Sequence, residues 1–223
     1  MVTRHLVLGA SLICLMLSCG CSDDPPTTTA AQPGPATDVA PERPKTGLLG
    51  RTRTSTNIDT SPMSQPPADN VTVEVVGLTG TKPAVWIWKP PTRTMRKANF
   101  VIPAPEGSEA AELVINHFPE AAGNTLDANI ARWSKQFRTI DGGTPVPTVD
   151  SFEADSMKIT TVELHGEYMG MGGHWHKANH AMLMAVVEAP AGTVFIKMIG
   201  PDDTVEAHRE GYMDYIKSLR KMN

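Results

Sequence analysis

The stretch MGMGGHWHKANH, residues 169–180, holds three histidines and two methionines within twelve residues. Thioether and imidazole groups bind Cu(I), and imidazole also binds Zn(II) and Cu(II). His174 and His176 share a face if the stretch is extended, and His165 is a further candidate to complete a ligand shell. One hypothesis is therefore a copper or zinc site formed by Met169, Met171, His174, His176 and His180. The alternative is a glycine-rich loop between two strands whose histidines are solvated.

Outside this stretch the chain carries no pattern typical of catalysis. It has no G-x-S-x-G nucleophile elbow, no H-E-x-x-H and no G-x-x-x-x-G-K-[ST] phosphate loop. His208 falls on the apolar stripe of a predicted helix and His117 at the end of a predicted strand, so both are interpreted as structural. Trp86 and Trp88 share one face of a predicted strand and are expected to anchor a sheet. We therefore expect a protein that is not an enzyme and has no cofactor, unless copper or zinc binds at 169–180.

The first twenty residues have the pattern of a lipoprotein signal peptide. Their apolar run, residues 6–17, has the length of a secretion signal and is too short to span a bilayer. Small residues surround the cysteines that follow, which predicts acylation of Cys21, with Cys19 as the alternative and cleavage without a lipid as a third reading. Acyl chains would hold the protein at the cell membrane or the outer membrane, facing the periplasm or the exterior. All three cysteines lie in this segment, so no disulfide or thiolate site is expected in the folded part.

Residues 21–70 have the composition of a disordered tether. They contain nine of the 19 prolines of the chain and almost no large apolar residue, so they cannot bury enough surface to offset the entropy of ordering. The globular domain is therefore predicted to occupy residues 71–223. The chain holds 20 Lys and Arg against 24 Asp and Glu, which argues against a nucleic-acid partner.

The hydrophobic periodicity of the domain changes along the chain. Alternating or short apolar runs predict strands at 71–75, 84–89, 98–103, 111–118 and 156–168. The runs at 181–188 and 193–200 flank APAG and predict a hairpin. A helix capped by Thr125 is predicted from the stripe of Leu126, Ile130, Trp133 and Phe137.

The C-terminal residues predict a closing helix. Asp203 and Glu206 have the spacing of a capping box, and the apolar stripe runs through Val205, His208, Tyr212, Tyr215, Ile216 and Leu219. Strands, one helix, more strands and a terminal helix together predict an α+β fold with a mainly antiparallel sheet flanked by helices.

This order of elements resembles the PsbP-like/Mog-like α/β/α sandwich of lipid-anchored bacterial proteins. The resemblance depends on MRKANFVIP (95–103), ANIARWSKQF (128–137) and the Gly200-Pro201 turn before the last helix. It implies a binding or scaffold protein with a protein partner in the cell envelope, and no functional residue carries over from it. The basic segment TRTMRK (92–97) is a solvated turn or, alternatively, a contact with anionic lipid or an acidic partner.

Overall fold

The computed structural model describes residues 62–119, 125–170 and 176–222. All three cysteines and most of the predicted tether lie outside these ranges, and so do Met171 and His174. The signal peptide and the lipid at Cys21 or Cys19 therefore stay predictions. In the ranges that are described, no helix is both long enough and apolar enough to cross a bilayer.

Most of the described chain is antiparallel β-structure. In chain order the strands are β1 (Thr72–Val75), β2 (Leu78–Thr81), β3 (Ile87–Lys89), β4 (Arg96–Ile102), β5 (Ala111–Phe118), β6 (Phe137–Arg138), β7 (Thr148–Ala154), β8 (Met157–Tyr168), β9 (Lys177–Ala189), β10 (Gly192–Pro201) and β11 (Arg220–Lys221). A small sheet has the order β1-β2-β11. The main sheet has the order β3-β4-β5-β10-β9-β8-β6, with β7 paired beside β8.

Both faces of the main sheet are buried at its centre. Along β9, Leu183 and Val187 belong to one apolar cluster, whereas Met182 and Val186 belong to another. Neighbouring residues of a strand face opposite sides of the sheet, so the two clusters are the two faces. Each face needs a covering layer, because apolar surface left in water lacks the stabilisation of about 25 cal/mol per Å² that burial provides.

Helices supply those layers. Helix α1 (Leu126–Ser134) places Trp133 against the cluster that contains Met182. Helices α2 (Asp202–Ala207) and α3 (Arg209–Lys217) cover the other face with Val205, Tyr212 and Ile216, and the small sheet adds its own apolar residues there. The α+β fold, with a mainly antiparallel sheet flanked by helices, is therefore as predicted.

The boundaries of several elements differ from the predictions. The hairpin of β9 and β10 is confirmed, and so is the Thr125 cap, whose hydroxyl accepts from the Ala128 amide at 3.3 Å. The prediction that α1 includes Phe137 was wrong, because the helix ends at Ser134 and Phe137 begins β6. The sequence analysis also missed β2, β7 and β11, the last of which it included in the closing helix.

The closing helix is divided at His208, so the prediction of one continuous helix was wrong. His208 has φ −110° and ψ 5°. Its Nε2 donates to the Pro103 carbonyl at 2.9 Å, while its Nδ1 accepts from Trp86 Nε1 at 3.2 Å. The predicted capping box was also wrong. Pro201 is the N-cap of α2, and Asp203 instead accepts from the Thr204 amide and from Ser108.

Two buried tyrosines of α3 provide a matched test of this packing. The Tyr212 hydroxyl donates to the Ile196 carbonyl at 2.8 Å, whereas the buried Tyr215 hydroxyl has no hydrogen-bond partner in the part of the chain that is described. Tyr212→Phe is expected to lower the free energy of unfolding by about 1 kcal/mol, because a buried hydrogen bond is lost. Tyr215→Phe is expected to be neutral or stabilising, because an unsatisfied group is removed. Urea unfolding measures both, and the reverse ranking would contradict this packing.

Candidate functional site

A polar cleft of about 670 Å³ lies where β9 begins and β10 ends. Three segments that are distant in sequence form its walls: the loop before β5, the first residues of β9, and the junction of β10 with α2. The lining residues are Gly107, Ser108, Glu109, Lys177, Ala178, Asn179, His180, Pro201, Asp202 and Asp203. They include three acidic side chains, one lysine, one histidine and two neutral polar side chains, so the cleft suits a polar ligand.

Buried Thr204 holds two of these walls together. Its hydroxyl donates to the Glu109 carbonyl at 2.8 Å and lies 3.2 Å from the Ser108 hydroxyl. Ser108 in turn donates to Asp203 at 2.8 Å. The loop before β5 is thereby fixed to the start of α2.

The wall contributed by β9 has an irregular backbone. Asn179 has a φ of 51°, a left-handed conformation in which Asn is more common than most residues. The pairing of β8 with β9 also shifts register between Gly166 and Tyr168. Lys177 forms an ion pair with Glu109 across the cleft at 3.0 Å. His180 donates from Nδ1 to the Ala178 carbonyl at 2.9 Å and stacks on Tyr168.

A cluster of charged side chains adjoins the cleft at Asp202. His165 of β8 lies between two carboxylates, with Nδ1 2.5 Å from Asp202 Oδ1 and Nε2 in contact with Glu163 Oε1. Arg209 of α3 bonds to both oxygens of Glu163 and, through Nε, to Glu206 at 2.6 Å. We call these five residues the His165 cluster. A carboxylate only accepts hydrogen bonds, so the imidazole donates from both nitrogens and is protonated.

The environment of the His165 cluster favours its charged forms. Burial alone would lower the pKa of His165, but hydrogen bonds to Glu163 and Asp202, together with their negative charges, raise it above 6.5. The hydrogen bond from Arg209 lowers the pKa of Glu163, and His165 adds to this effect while burial opposes it. Half of the His165 side chain is exposed, so solvent screens these interactions.

Three of the five residues of the hypothetical metal site lie in the described ranges. Met169 follows β8, and its amide donates to the Gln136 carbonyl at 2.8 Å. His176 precedes β9 and donates from Nδ1 to Glu167 at 2.9 Å, and Glu167 also bonds to Arg138. His180 lies inside β9, so the predicted loop ends earlier than residue 180. Among the residues described, no group of three or more His, Cys, Asp or Glu is placed to hold a metal ion.

The other residues selected from the sequence have structural roles. His208 and Trp86 bond to each other, as described above. His117 is buried and lies 2.8 Å from the Ala191 carbonyl. Trp88 packs against the core and donates to the Ser64 hydroxyl at 3.2 Å. The sequence analysis did not find the cleft or the Glu163–Arg209 pair, since their members are brought together only by the fold.

No family model matches the chain, and no curated protein matches its sequence. Among solved structures, the fold is similar to PsbP (CyanoP) of the cyanobacterium Synechocystis sp. PCC 6803. The identity is 13% and the TM-score 0.45, over 78% of this chain and 99% of that one. It is also similar to a Pseudomonas aeruginosa protein of unknown function, with 11% identity and a TM-score of 0.41, over 56% of this chain and 82% of that one. A PsbP-like protein is thus among the structures that this fold resembles, and the likeness says nothing about what this chain binds.

The raised pKa of His165 predicts how stability changes with pH. A histidine with a higher pKa in the folded state stabilises the fold fully below its unfolded pKa, about 6.5, and this contribution is lost as the pH rises through the folded pKa. We expect the free energy of unfolding of wild type to exceed that of His165→Asn by at most about 1 kcal/mol near pH 6, because the cluster is half exposed. The difference should shrink at higher pH, as measured by urea unfolding of both proteins. A difference that is constant or grows with pH would contradict the assignment.

Proposed function

We propose that this chain is a non-catalytic binding protein of the cell envelope, anchored by a lipid on Cys21, or alternatively on Cys19. Its partner would be a charged, polar segment of another envelope protein, held in the cleft. The observation that carries the proposal is the cleft itself: a concave surface of about 670 Å³ whose walls bear both signs of charge.

The contacts within the cleft favour binding over a purely structural role. Lys177 and Glu109 are both well exposed, with side-chain exposures of 47% and 75%. Such an exposed ion pair contributes little to stability, about 0–1 kcal/mol. Its two ends can therefore exchange their mutual contact for contacts with a partner at small cost, and a partner with both signs of charge would match them.

The N-terminal sequence supports the proposed location. A lipid on Cys21 would attach the domain to the membrane through the Pro-rich residues that follow. A charged cleft at the end of such a segment suits capture of other envelope proteins.

Charge reversal in the cleft tests the binding role. Lys177→Glu should reduce crosslinking of the full-length chain to its partner several-fold in intact cells, because a like charge is placed beside Glu109. Lys158→Glu is the matched control, since Lys158 is also an exposed lysine beside a glutamate, Glu188, but lies outside the cleft. Crosslinked proteins are identified by mass spectrometry, and thermal unfolding confirms that both variants fold. Equal recovery with all three chains, or no envelope protein captured by wild type, would refute the proposal.

A second candidate function is copper or zinc binding, and one observation favours it. Both described histidines of the stretch, His176 and His180, donate from Nδ1 to a carboxylate or carbonyl oxygen. Metal-binding histidines are commonly oriented in this way, since the bond leaves Nε2 as the ligand. Met169 and two residues outside the described ranges, Met171 and His174, would complete the shell.

Calorimetric titration of the full-length chain with Cu(I), Cu(II) and Zn(II) tests this second function. If the site exists, one of the three ions should bind with a dissociation constant of about 1 μM or lower. Replacing both His176 and His180 with Ala should weaken that binding at least about tenfold, as loss of direct ligands requires. His208→Ala is not a suitable control because His208 supports the fold, so Ca²⁺, which prefers oxygen ligands, serves instead. Binding that the double variant leaves unchanged would remove the hypothesis.

A further inference from the structure

The hairpin of β3 and β4 forms one edge of the main sheet and carries an unusual combination of exposed groups. Val85, Ile87 and Met95 are each more than half exposed, at 56%, 52% and 53%. Ile87 begins β3, whereas Val85 and the buried Trp86 lie in the turn that precedes this strand. Single exposed apolar side chains are common on protein surfaces, so these three gain meaning only from the charges of the same hairpin.

The same region is strongly basic. No Asp or Glu occurs between Glu74 and Glu106, whereas this interval contains five Lys and Arg residues in a chain whose net charge is −4. Three of these five side chains are bonded or buried within the domain. Lys82 donates to backbone carbonyls, Arg96 pairs with Glu112 at 2.7 Å, and Lys97 is buried.

Lys89 and Arg93 are the two that remain exposed. Within the described ranges, no acidic side chain forms an ion pair with either of them. Lys89 is two residues from Ile87 on the same strand, and Arg93 lies in the turn that leads to Met95. The hairpin therefore presents two unpaired cations and three exposed apolar side chains along its length. We call this set the hairpin surface.

The chain enters the domain beside this hairpin. The Ser64 amide donates to the Lys97 carbonyl at 2.6 Å, and the Ser64 hydroxyl accepts from Trp88 Nε1 at 3.2 Å. Ser64 belongs to the segment that the sequence analysis places in the tether, and it is buried in the domain. The first described residues of the chain thus lie beside the hairpin.

We propose that the hairpin surface docks the domain on an anionic lipid membrane. Lys89 and Arg93 would meet headgroup phosphates, while Val85, Ile87 and Met95 would enter the interface between headgroups and acyl chains. The inference rests on the proposed lipid anchor, which supplies the membrane. Docking would fix the orientation of the domain, so that its opposite edge, β7, faces away from the bilayer.

Fluorescence quenching by lipid tests this docking with the full-length chain. A fluorophore is attached to a cysteine introduced as Ile87→Cys or, at the opposite edge of the sheet, as Val146→Cys, with Cys14 and Cys19 replaced by Ser. Vesicles consist of phosphatidylcholine with a headgroup nitroxide lipid, with or without phosphatidylglycerol. We expect quenching at position 87 that exceeds quenching at position 146, requires phosphatidylglycerol and falls as the salt concentration rises.

Charge reversal identifies the groups responsible. K89E/R93E should reduce the docked population about tenfold or more, since each basic residue near an anionic surface contributes about 1 kcal/mol. K135E/K217E changes the net charge equally at two exposed lysines, the C-cap residue of α1 and the last residue of α3, and should leave docking unchanged. Equal quenching at positions 87 and 146, or quenching at 87 that K89E/R93E does not change, would overturn the proposal.

The state of the anchor is measured separately by intact mass of the same preparation. If the chain carries no lipid, the proposed anchor fails, and flotation of the unlipidated chain with the vesicles then tests the hairpin surface by itself. Binding that requires phosphatidylglycerol and is lost in K89E/R93E would support the docking surface even so. Flotation that is the same for K89E/R93E and wild type would overturn it.

Discussion

The burial of both faces of β9 is the constraint on which the rest of the structure depends. Ala181, Leu183, Ala185 and Val187 face one side, and Met182, Met184 and Val186 face the other; all are buried. A strand of this kind is stable only at the centre of a sheet with a layer on each side. The long pairings with β8 and β10 place it there. Helix α1 must then cover one face, and α2 and α3 the other.

That constraint also locates the functional surfaces. The strands β9 and β10 meet α2 at one end of the sheet, and the cleft forms where the last residues of β10 turn into the helix. The His165 cluster joins β8 to α2 and α3 on the same side. The hydrogen bonds and ion pairs of this cluster are partly exposed and contribute little to the free energy of unfolding. Apolar packing therefore determines where the helices lie, and the charged groups affect only how the helices are oriented.

The sequence predicts the parts of the fold that local pattern determines. The apolar runs of β9 and β10 and the Thr125 cap can be predicted because each depends on neighbours within a few residues. The polar strand β7, TVDSFEA, gives no such signal, since most of its side chains are exposed. The break between α2 and α3 at His208 cannot be predicted from the local sequence, for a different reason. The helical stripe continues through it, and the interruption comes from bonds to Trp86 and Pro103, more than 100 residues away.

The candidate site likewise combines residues that the sequence indicates with residues that only the fold brings together. The histidines at 165, 176 and 180 attract attention in the sequence because their side chains have chemistry of their own. Glu109, Lys177 and Asp202 do not, because surface charges at scattered positions are ordinary. Only the fold brings them together around one cleft, 68 residues separating Glu109 from Lys177. The lipid anchor is the opposite case, in which the sequence pattern is informative and the described residues do not include it.

The central claim is that this domain works at a membrane to which its own N-terminus is covalently attached. Intact-mass analysis of the native protein, extracted from its cells in detergent, tests it most directly. The account predicts a chain that begins at Cys21, or at Cys19, and is heavier than its peptide mass by two or three acyl chains with the accompanying glycerol. A chain that begins at Met1 and carries no added mass would contradict it.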